Sequence, residues 1–196
     1  MPSEWAAASR LRAARSPDAG SGVGSVIPVR DRLATREDLP RIVAIYNATI
    51  ASRMVTADLE PVTVTQRLPW FETHVPGRHP LWVVERDGEV AAWLSFSSFY
   101  GRPAYDRTAE LSVYVDEAHR RAGLGTGLLR EAIAHAPSIG VDRLLGFIFG
   151  HNLPSLALFE RFGFERWGLL PGVTLLDGVE RDVVIVGRVV GSARLT

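Results

Sequence analysis

The 196-residue chain contains no cysteine. Disulfides, thiolate metal ligands and a cysteine nucleophile are excluded, and the expected location is the reducing cytoplasm. Charge of one sign is not in excess either: Lys+Arg and Asp+Glu both number 22, for a formal net charge of zero. Without a basic field, nucleic acid is not an expected partner. No apolar run reaches the roughly 18 residues of a membrane span. The N-terminus carries arginines but no continuous apolar segment, so no secretory signal is expected, and without a spanning run no membrane partner is expected. The five histidines are scattered and lack metal-ligand spacing, so no metal is expected, and no Ser-His-Asp set stands out. What remains is ordinary: 46% hydrophobic and 22% charged residues, enough for one domain with a real core.

Residues 1–25, rich in Ala, Arg, Ser and Gly, read as a flexible extension in which 5–14 could form a short helix. The glycines at 20, 22 and 24 follow no strand, so they read as linker rather than nucleotide loop. The folded domain is expected over 26–190, with a tail at 191–196. A strand at 26–33 precedes a helix capped by Thr35 and Asp38 and running to about 50, with Leu39, Ile42, Val43, Ile45 and Tyr46 on one side. Thr63 or Thr65 caps a second helix through 71, bent or shortened by Pro69. Strands at 81–85 and 89–96 flank the turn Arg86-Asp87-Gly88-Glu89. Then follow a strand at 108–115, a helix at 124–136, a buried strand at 143–149 and a helix at 153–162 stopped by Gly163. Strands at 164–170 and 181–189, with a turn at Asp177-Gly178, complete the order β-α-α-β-β-β-α-β-α-β-β. It predicts an α/β fold with a mixed sheet and helices on both faces.

The most informative stretch is Arg120-Arg121-Ala122-Gly123-Leu124-Gly125-Thr126-Gly127. It joins an alternating strand to an apolar-periodic helix. Unpaired N–H groups at a helix start, at the positive end of the dipole, make an anion cradle, and glycine lets a phosphate approach the backbone. The order R-x-x-G-x-G has neither the Lys-Ser/Thr of a P-loop nor the spacing of a dinucleotide fingerprint. A plain glycine turn is the bland alternative. In the preceding strand, alternation puts Glu110, Ser112 and Tyr114 on one face and Leu111, Val113 and Val115 on the other. A glutamate in mid-strand is locally unfavourable, and is either a solvated carboxylate or a catalytic one.

Together with Asn152-Leu153-Pro154-Ser155 and Leu158-Phe159-Glu160-Arg161-Phe162-Gly163-Phe164, these segments resemble the GNAT superfamily of acetyl-CoA-dependent N-acetyltransferases. The third segment follows the superfamily pattern N-x-x-[AS]-x-x-[LM]-[YHF]-E-x-x-G-[FY]. Within the superfamily the chain is most similar to the phosphinothricin and methionine sulfoximine acetyltransferases, through Ile45-Tyr46-Asn47, Leu68-Pro69-Trp70-Phe71, Arg102-Pro103-Ala104-Tyr105, Thr108-Ala109-Glu110 and Ser112-Val113-Tyr114-Val115. The resemblance covers nearly all of 26–190. It implies a mostly antiparallel sheet with a splay between strands 4 and 5 that admits acetyl-CoA, an α-amino group of a small glutamate-like molecule as acceptor, and a homodimer.

By the same resemblance, Glu110 is the general base. Backbone groups of the Val113-Tyr114-Val115 segment hold the pantetheine arm and polarise the thioester carbonyl. Amides from Ala122 through Gly123, Leu124 and Gly125 to Thr126 hold the pyrophosphate, with Arg120 and Arg121 at its rim. Asn152 caps the following helix and can bond pantetheine, with Ser155 beside it. Arg102, Tyr105, Arg107 and Ser112 are the expected acceptor residues, although Arg107 has no match in the family segment. Three positions depart from the family. Phe159 stands where Tyr or His is frequent and cannot donate a proton to the leaving thiolate. Asp106 stands where Arg is frequent, and Arg181-Asp182 where His-Asp is. The alternatives are a GNAT enzyme for protein N-termini or ribosomal proteins, and a silent acyl-CoA sensor.

Overall fold

The computed structural model describes residues 32–191. Its elements are β1 (Arg32–Leu33), α1 (Leu39–Asn47), α2 (Val64–Glu72), β2 (Leu81–Arg86), β3 (Glu89–Ser98), β4 (Thr108–Val115), α3 (Leu124–His135), β5 (Arg143–Phe149), α4 (Leu153–Arg161), β6 (Glu165–Leu176) and β7 (Val179–Val189). The expected element order holds. Of the strand expected at 26–33 only Arg32–Leu33 is described. The extension, its candidate helix at 5–14 and residues 192–196 lie outside the described residues.

Local chemistry sets several boundaries. The Asp38 carboxylate accepts the Thr35 N–H at 2.7 Å and closes a one-turn 3-10 entry to α1. Thr63, not Thr65, caps α2: its hydroxyl accepts from Gln66 N–H, while the Gln66 side chain accepts the Thr63 N–H at 2.7 Å. α1 stops at Asn47, short of the expected end, and a separate 3-10 turn at Ile50–Ser52 ends on Arg53 with φ 53°.

Among the described residues one seven-stranded sheet runs β1-β2-β3-β4-β5-β7-β6, in which only β4 and β5 pair in parallel. Ile42, Ile45 and Tyr46 of α1 pack on Val83, Val90 and Trp93 on one face. Leu128 and Leu129 of α3 and Phe159 of α4 pack with Leu94, Phe96, Leu144 and Val184 on the other. Trp82 and Trp93, each at most 1% exposed, sit in opposite layers because strand side chains alternate. Rings of this size bury about 150–250 Å² each, so one tryptophan anchors each layer.

The terminal hairpin is longer than expected, since β6 continues to Leu176 and β7 begins at Val179. Pro171 and Gly172 fall inside β6, where the register steps from Leu170↔Val183 to Thr174↔Arg181 and absorbs them in a bulge. β6 is an edge strand, where a missing N–H leaves no ladder bond unmade. Asp177 (φ 50°) and Gly178 (φ 81°) form the expected turn with both central residues left-handed.

The feature that positions the site is the parting of β4 from β5. They pair only at Thr108↔Arg143, Ala109↔Leu144 and Glu110↔Leu145. Beyond that, β4 stays with β3 as far as Val115↔Ala92, and β5 stays with β7 as far as Phe149↔Val183. Each strand follows its outer neighbour, and a wedge opens between them.

Candidate active site

Hydrogen-bond direction alternates along β4. Asp116 N–H donates to Ala91 O at 2.9 Å, so even-numbered residues turn their backbone groups toward β3. Odd-numbered residues turn toward β5, as the Arg107 carbonyl does in accepting from Asp142 and Arg143. Val113 and Val115 therefore aim their N–H and C=O groups into the wedge, where β5 no longer pairs with them. An extended, amide-bearing chain can occupy such an edge as an added strand.

Past the wedge, Arg121 (φ 64°) and Gly123 (φ 81°) are both left-handed, and α3 starts directly after Gly123. No side chain caps this helix. The first intrahelical bond runs from Gly127 N–H to Gly123 O at 2.9 Å, so the amides of Leu124, Gly125 and Thr126 are left for an anion. A turn with left-handed residues gathers its N–H groups into a concave nest, and the helix dipole adds positive potential. At Gly125 a Cβ would lie 3.6 Å from Val115 Cγ2 and 3.8 Å from Val113 Cγ1, ordinary van der Waals contact, so the first turn of α3 packs directly against β4.

A cleft of about 480 Å³ joins the wedge to this turn. Of the residues expected from sequence to hold the co-substrate, Val113, Tyr114 and Val115, then Arg120, Arg121, Gly123, Leu124, Gly125 and Thr126, and finally Asn152 and Ser155 line it. Ala122 belongs to the same turn but is exposed and lines no part of the cleft. Thr49, Ser52, Met54 and Val55 form a further wall that sequence reasoning missed. They follow α1 in an irregular stretch with no motif to mark it. The signal is long-range: Asn152 Nδ2 donates to Met54 O at 2.7 Å, while Asn152 Oδ1 accepts from Ser155 N–H and caps α4. Both ends of the Asn152 amide thus serve the architecture.

Glu110 belongs to the last β4–β5 pair and so marks the apex of the wedge. With Ser112 and Tyr114 it faces the α1 side, and it does not line the 480 Å³ cleft itself. It has no hydrogen-bond or ion-pair partner among the described residues, and burial alone pushes its carboxyl above the ordinary range. Tyr114 stacks on Trp93 (centroids 4.3 Å, 15°) and tilts against Tyr46; burial also raises its hydroxyl. Phe159 is buried and meets Phe164 edge-on at 4.8 Å. A Cβ on Gly146 would lie 3.1 Å from its ring, so this aromatic fills core space that Gly146 leaves open.

The acceptor residues expected from sequence are not gathered in the same way. Arg102 opens the 3-10 turn at Pro103–Tyr105 and is exposed. Tyr105 joins Phe99 and Tyr100 in an exposed aromatic cluster. Arg107 is exposed and paired with Asp142. Asp106 pairs with Arg78 at 2.5 Å. Asp182 accepts from Gly172 N–H at 2.8 Å and borders a second hollow of about 380 Å³ with Arg166, Glu180 and Arg181.

The model of the acetyltransferase (GNAT) family matches residues 42–164. The chain belongs to this family. Among relatives of this GNAT acetyltransferase, YwnH of Bacillus subtilis, which bears the provisional name phosphinothricin acetyltransferase, is 58% identical over 158 residues, 80% of this chain and 96% of YwnH. The L-methionine sulfoximine/L-methionine sulfone acetyltransferase of Pseudomonas aeruginosa is 34% identical over 69% of this chain and 80% of its own. The Sinorhizobium meliloti phosphinothricin acetyltransferase, solved in complex with acetyl-CoA, superposes with a TM-score of 0.79 at 27% identity, covering 84% of this chain and 90% of that one. Among the described residues of the GNAT enzyme, no helix is long and apolar enough to cross a membrane.

Proposed function

We propose that this acetyltransferase moves an acetyl group from acetyl-CoA to the amino group of a small amino-acid-like molecule, with Glu110 as general base. The observation that carries the proposal is the wedge: unpaired backbone at Val113 and Val115 leads into an uncapped helix start flanked by Arg120 and Arg121. Those parts fit the co-substrate by chemistry. The strand edge suits pantetheine amides, and the nest with its arginines suits a diphosphate. The relatives named for phosphinothricin and methionine sulfoximine support the acceptor class.

At neutral pH an alkylamine is almost wholly ammonium and has no lone pair to attack with. Glu110, held unpaired at the apex with its proton affinity raised by burial, takes one ammonium proton directly or through water. The freed nitrogen bonds to the thioester carbon, and the β4 amide near Val113 stabilises the oxyanion. When the C–S bond breaks, the second nitrogen proton goes to the thiolate, leaving the amide, coenzyme A and a protonated Glu110 that returns its proton to water. Phe159 has no proton to give, so water carries that transfer. Arg102 supplies a guanidinium fork for an acceptor carboxylate, with Tyr105 and Ser112 as further acceptor contacts and Arg107 as a second candidate for the carboxylate.

We further infer a domain spanning 26–190, a cytoplasmic enzyme, and a homodimer supported by half-exposed Phe147, Trp167 and Val189 on the sheet. Coenzyme A release against a panel of amines tests the activity. Glutamate-like amines should turn over fastest. Equal or better rates with N-terminal peptides would replace the acceptor class, and binding without turnover of any amine would leave a sensor.

A further inference from the structure

The wall formed by Thr49, Ser52, Met54 and Val55 belongs to no regular element longer than one 3-10 turn, yet it is fixed from several sides. Within the stretch, Tyr46 hydroxyl donates to Asp58 at 2.6 Å, and Asn47 exchanges two bonds with Val62, at 2.8 and 3.0 Å. Arg53 sits at the centre. Its Nη1 donates to the carbonyls of Ile50 (3.3 Å) and Leu59 (3.1 Å). Its Nε and Nη2 grip both oxygens of Asp177 at 2.8 and 3.0 Å, across 124 residues of sequence. Its own carbonyl accepts from His151 Nε2 at 2.8 Å, next to the Asn152–Met54 bond. His151 in turn stacks on Phe149 at 5.3 Å.

We propose that Arg53 and Asp177 are positioning residues: their two-point ion pair clamps the stretch after α1 to the β6–β7 turn and so sets the width of the acetyl-CoA cleft. The proposal rests on the reading of that cleft as the acetyl-CoA site. Several features make a clamp of the pair rather than a surface decoration. Four of the five guanidinium N–H donors are engaged, so the side chain holds the loop in one arrangement. Its anchor is stiff, because Asp177 sits in a two-residue turn with both residues left-handed, on a hairpin whose Leu176 is buried against Phe149 and Val183. The residues on either side of Arg53, namely Ser52 and Met54, line the cleft. Loosening the clamp lowers the fraction of molecules whose cleft is ready to bind, and apparent affinity falls by that fraction.

The test uses the full chain and titration calorimetry with coenzyme A. Asp177→Gly removes the carboxylate and keeps a residue that accepts the left-handed turn. It should weaken coenzyme A binding about threefold to fivefold, the range expected when a partly exposed two-point pair is lost. Amide exchange over residues 48–63 should accelerate, and the KM for acetyl-CoA should rise by more than kcat falls. Asp177→Asn, which keeps an acceptor and the turn, should fall between the two. Arg53→Ala should exceed Asp177→Gly, since it also frees Ile50 and Leu59. Unchanged affinity in Asp177→Gly overturns the clamp, and so does faster exchange with unchanged affinity, because the loop would then move without the cleft responding. If wild-type protein binds no coenzyme A, the acetyl-CoA reading fails; slowed or unaltered exchange in Asp177→Gly then overturns the clamp separately.

Discussion

The two sides of the wedge are built from different materials. The proposed acetyl-CoA side is largely main chain: strand edges at Val113 and Val115, amides at the start of α3, and the left-handed turn at Arg121 and Gly123. The proposed acceptor side is side chain: Arg102, Tyr105 and Arg107 stand exposed on the connection into β4, each with different neighbours. Backbone recognition is indifferent to most substitutions and sensitive to conformation. Side-chain recognition is the reverse. One fold can thereby keep a fixed co-substrate while its acceptor varies.

Glu110 lies on the border between the two, and changing it gives the largest expected effect. Glu110→Gln should lower kcat by about 10²–10⁴, the usual contribution of a general base, with coenzyme A affinity unaltered in calorimetry. Retained turnover would remove Glu110 from the chemistry. Two pH signatures follow from the raised proton affinity. Activity needs the deprotonated form, so kcat/KM should climb with pH through a value above the ordinary carboxylate range. Stability runs the other way. A carboxyl whose folded-state pKa is raised favours the fold when protonated, so that stability is present at low pH and lost as pH rises through the folded value. Glu110→Gln should therefore melt higher than wild type near neutrality, with the gap closing as pH falls toward about 4.3, the ordinary Glu value. A melting difference that stays constant with pH would show that Glu110 is solvated.

The next effect probes the backbone side. Gly123→Val places a β-branched residue at φ 81°. A left-handed L-residue costs about 1–2 kcal/mol, so coenzyme A binding should weaken about 5- to 30-fold while the fold persists. Gly123→Asn, which tolerates this region, should recover most of the loss. Arg121→Ala keeps the chain's conformation within reach and should weaken binding less. An equal loss for Arg121→Ala and Gly123→Val would mean that charge, not amide geometry, holds the diphosphate.

How much of this was legible in sequence follows the same division. R-x-x-G-x-G and the alternation of residues 108–115 are local patterns, and the structure places both as expected, because a strand edge and a helix start are specified by the residues that form them. The wall at Thr49, Ser52, Met54 and Val55 had no local signature, since Asn152, His151 and Asp177 fix it from about a hundred residues away. The terminal hairpin outruns its local sequence pattern for a related reason. Pro171 and Gly172 do break a ladder locally, but an edge strand with a bulge absorbs them. Asn152 was legible in its capping role, while its bond to Met54 depends on which loop packs beside it.

On the acceptor side, Arg102→Ala should raise the acceptor KM about tenfold, the lower end for a charged hydrogen bond at an exposed site, and leave acetyl-CoA affinity alone.

The smallest effect is expected at Arg107, and it discriminates best between two views of the acceptor side. Its guanidinium already pairs with Asp142, the residue just before β5, where the Arg107 carbonyl also accepts from the Asp142 and Arg143 amides. An arginine so engaged must surrender that partner to take a substrate carboxylate, and the exchange returns little net free energy. The pair itself is largely exposed on the arginine side, so its loss should lower stability by no more than about 1 kcal/mol. Arg107→Ala is expected to shift the acceptor KM less than about threefold, well under the effect of Arg102→Ala. The ranking of the two variants is the measurement. Should Arg107→Ala prove the more damaging, Asp142 acts as a stand-in for the acceptor carboxylate, and Asp142→Asn should then lower the acceptor KM by freeing the guanidinium.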